Sequence, residues 1–310
     1  MIVGVIGTGI MGRNHVRVYS KMKEVEEIFV YDIDEKASSK VAEEYGISSC
    51  KSLEELLGKV DAVSICVPTK YHFETAKKVI EAGKHCLIEK PIALEIDEGK
   101  KIVELVKGKE IVCGVGHIER FNPIIPEIKK IVKKPRYVEI KRHNPDSGRI
   151  TDADIISDLM IHDIDTVWNY FFRGIDFEMR GAAGVRNKLL DLVSSLAVFD
   201  STVVSLSASR LSSNKVRSII IEEEDKTVVG NYITQEVHVY KGVEKKDHTN
   251  TSYAQETLVE KLAVQKVEPL KLELSSFLES IKNKKPFEVS LEDAVNALEV
   301  ADKIRSMVNK

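Results

Sequence analysis

The chain has 310 residues, 43% of them hydrophobic and 31% charged, with a net charge of −3. That is the composition of a globular protein, and the length exceeds what one hydrophobic core ordinarily organises, so two domains are expected. The lack of a basic excess argues against nucleic acid as a partner, and no apolar stretch is long enough to cross a membrane.

Residues 1–121 alternate short apolar runs with amphipathic stretches. The runs at 2–6, 27–32, 62–67, 85–89 and 111–116 predict strands, and the patterns at 14–22, 35–45, 71–82 and 94–107 predict helices. Alternation of this kind, with near-continuous apolar strands, implies a parallel sheet covered on both faces. Gly83 directly follows one helical run and reads as its stop. After Pro123 the pattern changes. Alternating β-branched runs at 137–142, 193–199, 202–208, 216–221 and 236–240 predict antiparallel strands with one covered face. A long helix is expected over 154–172, and two more at 270–282 and 291–308. The architecture read from this order is a doubly wound α/β Rossmann domain, residues 1–121. An α+β domain with a large, mainly antiparallel open sheet follows at 122–310, and its last helix is free to pack back on the first.

The four cysteines, Cys50, Cys66, Cys86 and Cys113, form no C-x-x-C pair. They read as buried reduced thiols, which together with the lack of a basic leader before Ile2 points to the cytoplasm.

The first strand runs into Gly7-Thr8-Gly9-Ile10-Met11-Gly12, which fits G-x-G-x-x-G and opens a helix. The glycines have separate uses: a tight turn at Gly7, close approach of a pyrophosphate at Gly9, and helix–strand packing at Gly12. The helix N-terminus presents free N–H groups to phosphate. Asp32 lies 20 residues beyond Gly12, at the end of the second strand. Its carboxylate suits a ribose diol and repels a 2′-phosphate, and no cation follows before Lys36. This favours NAD over NADP, and the chain shows no flavin-binding segment.

Later strand ends carry Val67-Pro68-Thr69-Lys70-Tyr71-His72, Glu89-Lys90-Pro91 and Gly116-His117-Ile118-Glu119-Arg120-Phe121-Asn122-Pro123. With Asp158-Leu159-Met160-Ile161-His162-Asp163, these resemble the Gfo/Idh/MocA oxidoreductase family across essentially the whole chain. The resemblance implies an active site built from Lys90, Asp158 and His162. It also implies that Val67, Pro68, Thr69, His72, Glu89 and Lys90 border the cofactor, with Thr69 and His72 either touching it or capping the next helix. Pro91 is a candidate for a cis peptide. The roles make chemical sense: ligands gather at the carboxyl ends of parallel strands, and residues i and i+4 share a helix face. Oxidising a secondary alcohol needs a base such as His162 for its proton and a cation such as Lys90 for the developing alkoxide. His15 reads as structural. Ile155-Ile156-Ser157 stand where many relatives place a glycine pair before the aspartate, so the pocket wall differs from theirs.

The stretch around 117–123 and the 158–165 segment are similar to the branch of this family acting on UDP-N-acetylglucosamine at its 3-hydroxyl. A nucleotide-sugar substrate is the leading expectation, with Lys90, Arg120, Asn122, Arg142, Asp158 and His162 as substrate-binding residues and His143 and Arg149 as further candidates. A free sugar or inositol, and a non-catalytic NAD-binding sensor, stay open. No metal is expected, and a homodimer or homotetramer is anticipated through the second domain's sheet.

Overall fold

The computed structural model describes residues 1–145, 154–186, 190–245 and 254–308. The chain divides into two compact units. One is Met1–Phe121 with Glu268–Glu299, the other Asn122–Val267 with Val300–Lys310. The first unit thus holds a second stretch of chain that the sequence reading assigned to 122–310. The reason is packing. The helix Pro269–Lys282 buries Leu270, Leu274, Phe277 and Leu278 in the same core as Val5, Ile65 and Ile88. A fully buried side chain of this size contributes roughly 1.5–3 kcal/mol, and helical periodicity does not say which sheet receives it.

The first unit contains strands β1 (Ile2–Ile6), β2 (Glu27–Tyr31), β3 (Ser48–Ser49), β4 (Ala62–Ile65), β5 (His85–Glu89) and β6 (Cys113–Gly116). All pair in parallel, in the order β3-β2-β1-β4-β5-β6. The order reverses between β1 and β4, which opens a crevice at their carboxyl ends. Besides the helix Pro269–Lys282, the sheet is accompanied by α1 (Ile10–Tyr19), α2 (Glu35–Tyr45), α3 (Leu53–Lys59), α4 (His72–Glu81) and α5 (Ile96–Val106). Their ends follow local chemistry. Asp34 caps α2 by accepting from the N–H groups of Lys36 and Ala37, and Gly83 adopts a φ of 68° just past α4. Cys50 and Cys86 are buried, Cys66 and Cys113 half-buried, and all four are free thiols.

The second unit is built on an eight-stranded sheet of β7 (Tyr137–Pro145), β8 (Phe177–Arg186), β9 (Leu190–Phe199), β10 (Thr202–Ser209), β11 (Leu211–Glu222), β12 (Thr227–Asn231), β13 (Glu236–Lys245) and β14 (Ala254–Lys261). The order is β14-β13-β12-β11-β7-β10-β9-β8, antiparallel except for the central β7–β10 pair. The expected helix over 154–172 is present, but it is wound as π turns Ile156–Met160, an α turn Ile161–Ile164 and π turns Asp165–Phe171. Trp168 anchors it, edge-on to Phe177 and Phe199 with ring centroids 5.3 and 5.1 Å away. No helix among the described residues is long and apolar enough to cross a membrane.

Candidate functional site

The glycine turn has the shape a dinucleotide requires. Gly7 sits at φ 89°, and a Cβ there would meet the Cys66 carbonyl oxygen at 2.7 Å. A Cβ on Gly12 would lie 1.9 Å from the Gly7 carbonyl oxygen, so only glycine lets α1 start this close to β1. Nothing lies within 4 Å of a Cβ placed on Gly9. The backbone is therefore open on the side from which a pyrophosphate approaches. Gly9 caps α1 without a side-chain hydrogen bond, and the first turn carries no acid, so its N–H groups and dipole are available to an anion. Asp32 is tied to this turn. Its Oδ2 accepts from the Thr8 N–H at 2.6 Å and the Thr8 hydroxyl at 2.9 Å, and its Oδ1 accepts from the Asp34 N–H at 3.0 Å. A carboxylate has about four acceptor positions, so the three contacts orient Asp32 and leave about one position, on Oδ1, for a hydroxyl. Beside it, Ile10 and Ile33 are 69% and 95% exposed.

The ends of β4 and β5 are laced together. His72 is buried, with Nδ1 2.8 Å from the Pro91 carbonyl oxygen and Nε2 2.9 Å from that of Val67. The ring thus bridges the two loops, and the alternative of a helix cap is not what it does. Burial pushes its pKa below the ordinary value despite both carbonyls and Glu89 favouring the charged form. Pro68 precedes a single 3-10 turn, Thr69–Tyr71, that leads into α4. The Lys90–Pro91 bond is cis. Glu89 points inward: it is 8% exposed, and its Oε1 lies 2.9 Å from Nε2 of His15, which is fully buried as a structural histidine should be.

In the second unit the 156–171 helix presents its chemistry selectively. From 158 to 169 every residue is buried except Asp158 and His162. These two share the one accessible strip of that stretch, where a π segment gives way to an α turn. π turns are uncommon and concentrate at functional sites. Asp158 Oδ2 accepts from Arg210 Nη2 at 3.1 Å. Sequence reasoning missed Arg210, because it sits 52 positions from its partner in a stretch with no motif.

Three of the residues expected to bind substrate make enclosed polar contacts. Arg120 is buried, and its Nη1 lies 3.0 Å from Asp293 Oδ2 in the first unit. Arg142 is 1% exposed and embraces Asp163, with Nε 3.1 and 2.9 Å from the two carboxylate oxygens and Nη2 2.6 Å from Oδ1. The face of Tyr232 lies 5.4 Å from its guanidinium. Asn122 is buried and donates to the Tyr232 carbonyl at 3.1 Å. These are enclosed contacts within the second unit and within the first. His143 Nε2 lies 2.8 Å from the Ser207 hydroxyl, and Arg149 falls outside the described residues.

Comparison with known proteins fits this geometry. Residues 1–117 match the Gfo/Idh/MocA family model, described as an oxidoreductase family with an NAD-binding Rossmann fold. The chain is also 34% identical over 242 residues to UDP-N-acetylglucosamine 3-dehydrogenase from Acidithiobacillus ferrooxidans, covering 77% of each chain. The chain belongs to the Gfo/Idh/MocA oxidoreductase family. Its fold agrees throughout with that membership. A solved structure of the Acidithiobacillus enzyme superposes with a TM-score of 0.89 at 29% identity, over 99% of this chain and 97% of that one. Levoglucosan dehydrogenase, in complex with NADH and levoglucosan, shares the fold at a TM-score of 0.83 and 19% identity, over 100% of this chain and 97% of that one. As a Gfo/Idh/MocA member the protein is an oxidoreductase that binds a nicotinamide dinucleotide, and the glycine turn is the part of it shaped for that task.

Proposed function

We propose that the protein is a cytoplasmic NAD-dependent dehydrogenase that oxidises the 3-hydroxyl of UDP-N-acetylglucosamine or a close nucleotide sugar to the 3-keto form. The observation carrying this reading is the 34% identity to an enzyme of that activity across 77% of both chains. Asp32 supports NAD over NADP. Held by Thr8 and Asp34, it fixes a negative charge where the adenosine ribose of a Rossmann ligand lies, and a 2′-phosphate there would be repelled. The exposed Ile10 and Ile33 supply apolar surface for the adenine ring.

When bound, NAD supplies the hydride acceptor. The chain supplies the proton handling. His162, half-buried at the accessible strip of its helix, takes the hydroxyl proton as general base. Lys90 donates a hydrogen bond to the same oxygen and stabilises its developing negative charge. Asp158, held by Arg210, accepts from a neighbouring hydroxyl and fixes the sugar's orientation. The strand register places Val185, Leu196, Val203, Tyr240 and Val259 on one face of the eight-stranded sheet, and all five are exposed. Exposed apolar side chains on this face, interspersed with Glu139, Glu222 and Thr227, suit association of two copies through it.

The test is reduction of NAD, followed by the absorbance of NADH, with UDP-N-acetylglucosamine, other UDP-sugars, free hexoses and myo-inositol. Turnover confined to UDP-N-acetylamino sugars supports the proposal. Turnover of inositol or free hexose alone refutes the substrate, and tight NAD binding without turnover of any alcohol refutes the enzyme reading.

A further inference from the structure

The first unit encloses a group of titratable side chains that the reaction above does not use. His15 on α1, Glu89 at the end of β5 and Glu273 on the helix Pro269–Lys282 converge there. One imidazole nitrogen and one oxygen from each carboxylate lie within 4.8 Å of one another, and all three residues are buried. Spacing along the chain shows nothing of this grouping.

The three side chains are satisfied unequally. His15 Nε2 lies 2.9 Å from Glu89 Oε1, and Glu89 Oε2 accepts the backbone N–H of Lys90 at 3.3 Å. Glu89 also packs against Gly116, where a Cβ would come within 3.2 Å of Oε1. Glu273, by contrast, is 0% exposed, and neither of its carboxylate oxygens has a hydrogen-bond partner among the described residues; nor has Nδ1 of His15. Among the described residues no cation is seen to act on Glu273 itself. Leu274 and Phe277 flank Glu273 on its own helix. The nearby titratable groups are Tyr19 on α1, whose hydroxyl is shared with Ser64, the Cys66 thiol, and Glu89 itself.

Two ionised carboxylates cannot share such a space, because the interior does not screen their repulsion or repay their lost hydration. One must carry a proton or both must close on a cation. The contacts decide which. Glu89 already has two donors, the imidazole and the Lys90 amide, which suit an anion. Glu273 has no donor beside it among the described residues, so the proton of the carboxylate pair stays on Glu273. We propose that Glu273 is a neutral carboxylic acid, which leaves Glu89 as the single anion of the group, held between His15 and the Lys90 amide. Electrostatics agree. Burial and the charge of Glu89 push the Glu273 carboxyl well above the ordinary carboxylate range. Burial alone would raise Glu89 as well, but the hydrogen bond and charge of His15, with Lys90 and His72, keep it below.

Glu273 is on this account a proton-carrying core residue, and nothing in the proposal rests on the dehydrogenase reading. Infrared difference spectra of wild type against Glu273→Gln at mildly alkaline pH test its protonation directly. A protonated-carboxyl carbonyl band present in the wild type and missing in the variant is expected. No such band overturns the proposal, as does a stoichiometric divalent metal in the purified protein that Glu273→Gln releases. The infrared result stands whether or not the enzyme oxidises any nucleotide sugar. Glu273→Leu should raise the melting temperature, since it removes an unsatisfied buried polar group. The gain should grow as pH rises above the ordinary carboxylate range, because the folded wild type keeps a proton that the unfolded chain releases. A gain that does not change with pH overturns the proposal.

Discussion

The Arg142–Asp163 pair offers a sharp test of how the second unit is held together. Both side chains are enclosed, at 1% and 2% exposure, and three N···O contacts of 3.1, 2.9 and 2.6 Å join them. Arg142→Met removes the guanidinium from a buried carboxylate, which typically costs about 3–5 kcal/mol. In a unit of this size each kcal/mol moves the melting temperature by about 2–4 °C, so a drop of roughly 6–20 °C is expected. A buried carboxylate deprived of its cation is favoured by a lower pH, so the deficit should shrink as pH falls. Replacing both residues, Arg142→Met with Asp163→Leu, should recover most of the loss, because neither charge then needs a partner. The assay is thermal unfolding followed by circular dichroism for the two single variants and the double. An unchanged melting temperature in Arg142→Met, accompanied by a raised KM for a nucleotide sugar, would refute the reasoning and return Arg142 to substrate binding.

Other expectations follow from the first unit. Gly12→Ala drives a Cβ to 1.9 Å from the Gly7 carbonyl oxygen. The displaced turn carries about 1–3 kcal/mol of overpacking strain, and titration of intrinsic fluorescence with NAD should show affinity falling by a comparable factor; wild-type affinity would contradict the turn's role. Asp32→Ala removes a charged acceptor worth about 1.5–3 kcal/mol, so the NAD Kd should rise roughly ten- to a hundredfold while discrimination against NADP narrows. His72 should make folding sensitive to acid. Its pKa in the folded protein lies below the ordinary 6.5, so the folded state binds fewer protons than the unfolded one. Its contribution is complete above that value and is lost as pH falls below it. Urea unfolding of wild type and His72→Asn on both sides of that pH should show a weaker pH dependence in the variant, and parallel curves would refute the assignment.

What could be read from sequence was local. The glycine turn, Asp32 and the α/β alternation are encoded within a few residues of each other, so their geometry follows from steric and hydrogen-bonding rules that act along the chain. Asp158 and His162 were singled out by the family resemblance and their i, i+4 spacing, and the π winding that leaves them the accessible pair between 158 and 169 was not visible. The strands that escaped notice lack clean alternation. β3 is two serines, β8 carries Gly181 and Gly184, β12 is short and contains Gly230, and β14 is largely polar. Charged partners were the least visible. Arg120 meets Asp293, Arg142 meets Asp163 and Arg210 meets Asp158 only after tertiary folding. A lone arginine therefore looks equally suited to a phosphate or to a buried carboxylate. The helix Pro269–Lys282 illustrates the same limit: its apolar face is evident, and the sheet it joins is not.

The measurement closest to the central claim is transfer of a label. UDP-N-acetylglucosamine deuterated at C3 is incubated with NAD and the protein, and the reduced nicotinamide is recovered for mass spectrometry, alongside Lys90→Ala. Direct hydride transfer is expected to place one deuterium on the nicotinamide ring. In Lys90→Ala the rate should fall on the order of a hundredfold or more, with NAD affinity close to wild type. Unlabelled NADH, no NADH at all, or equal loss of turnover and NAD binding in Lys90→Ala would contradict the account.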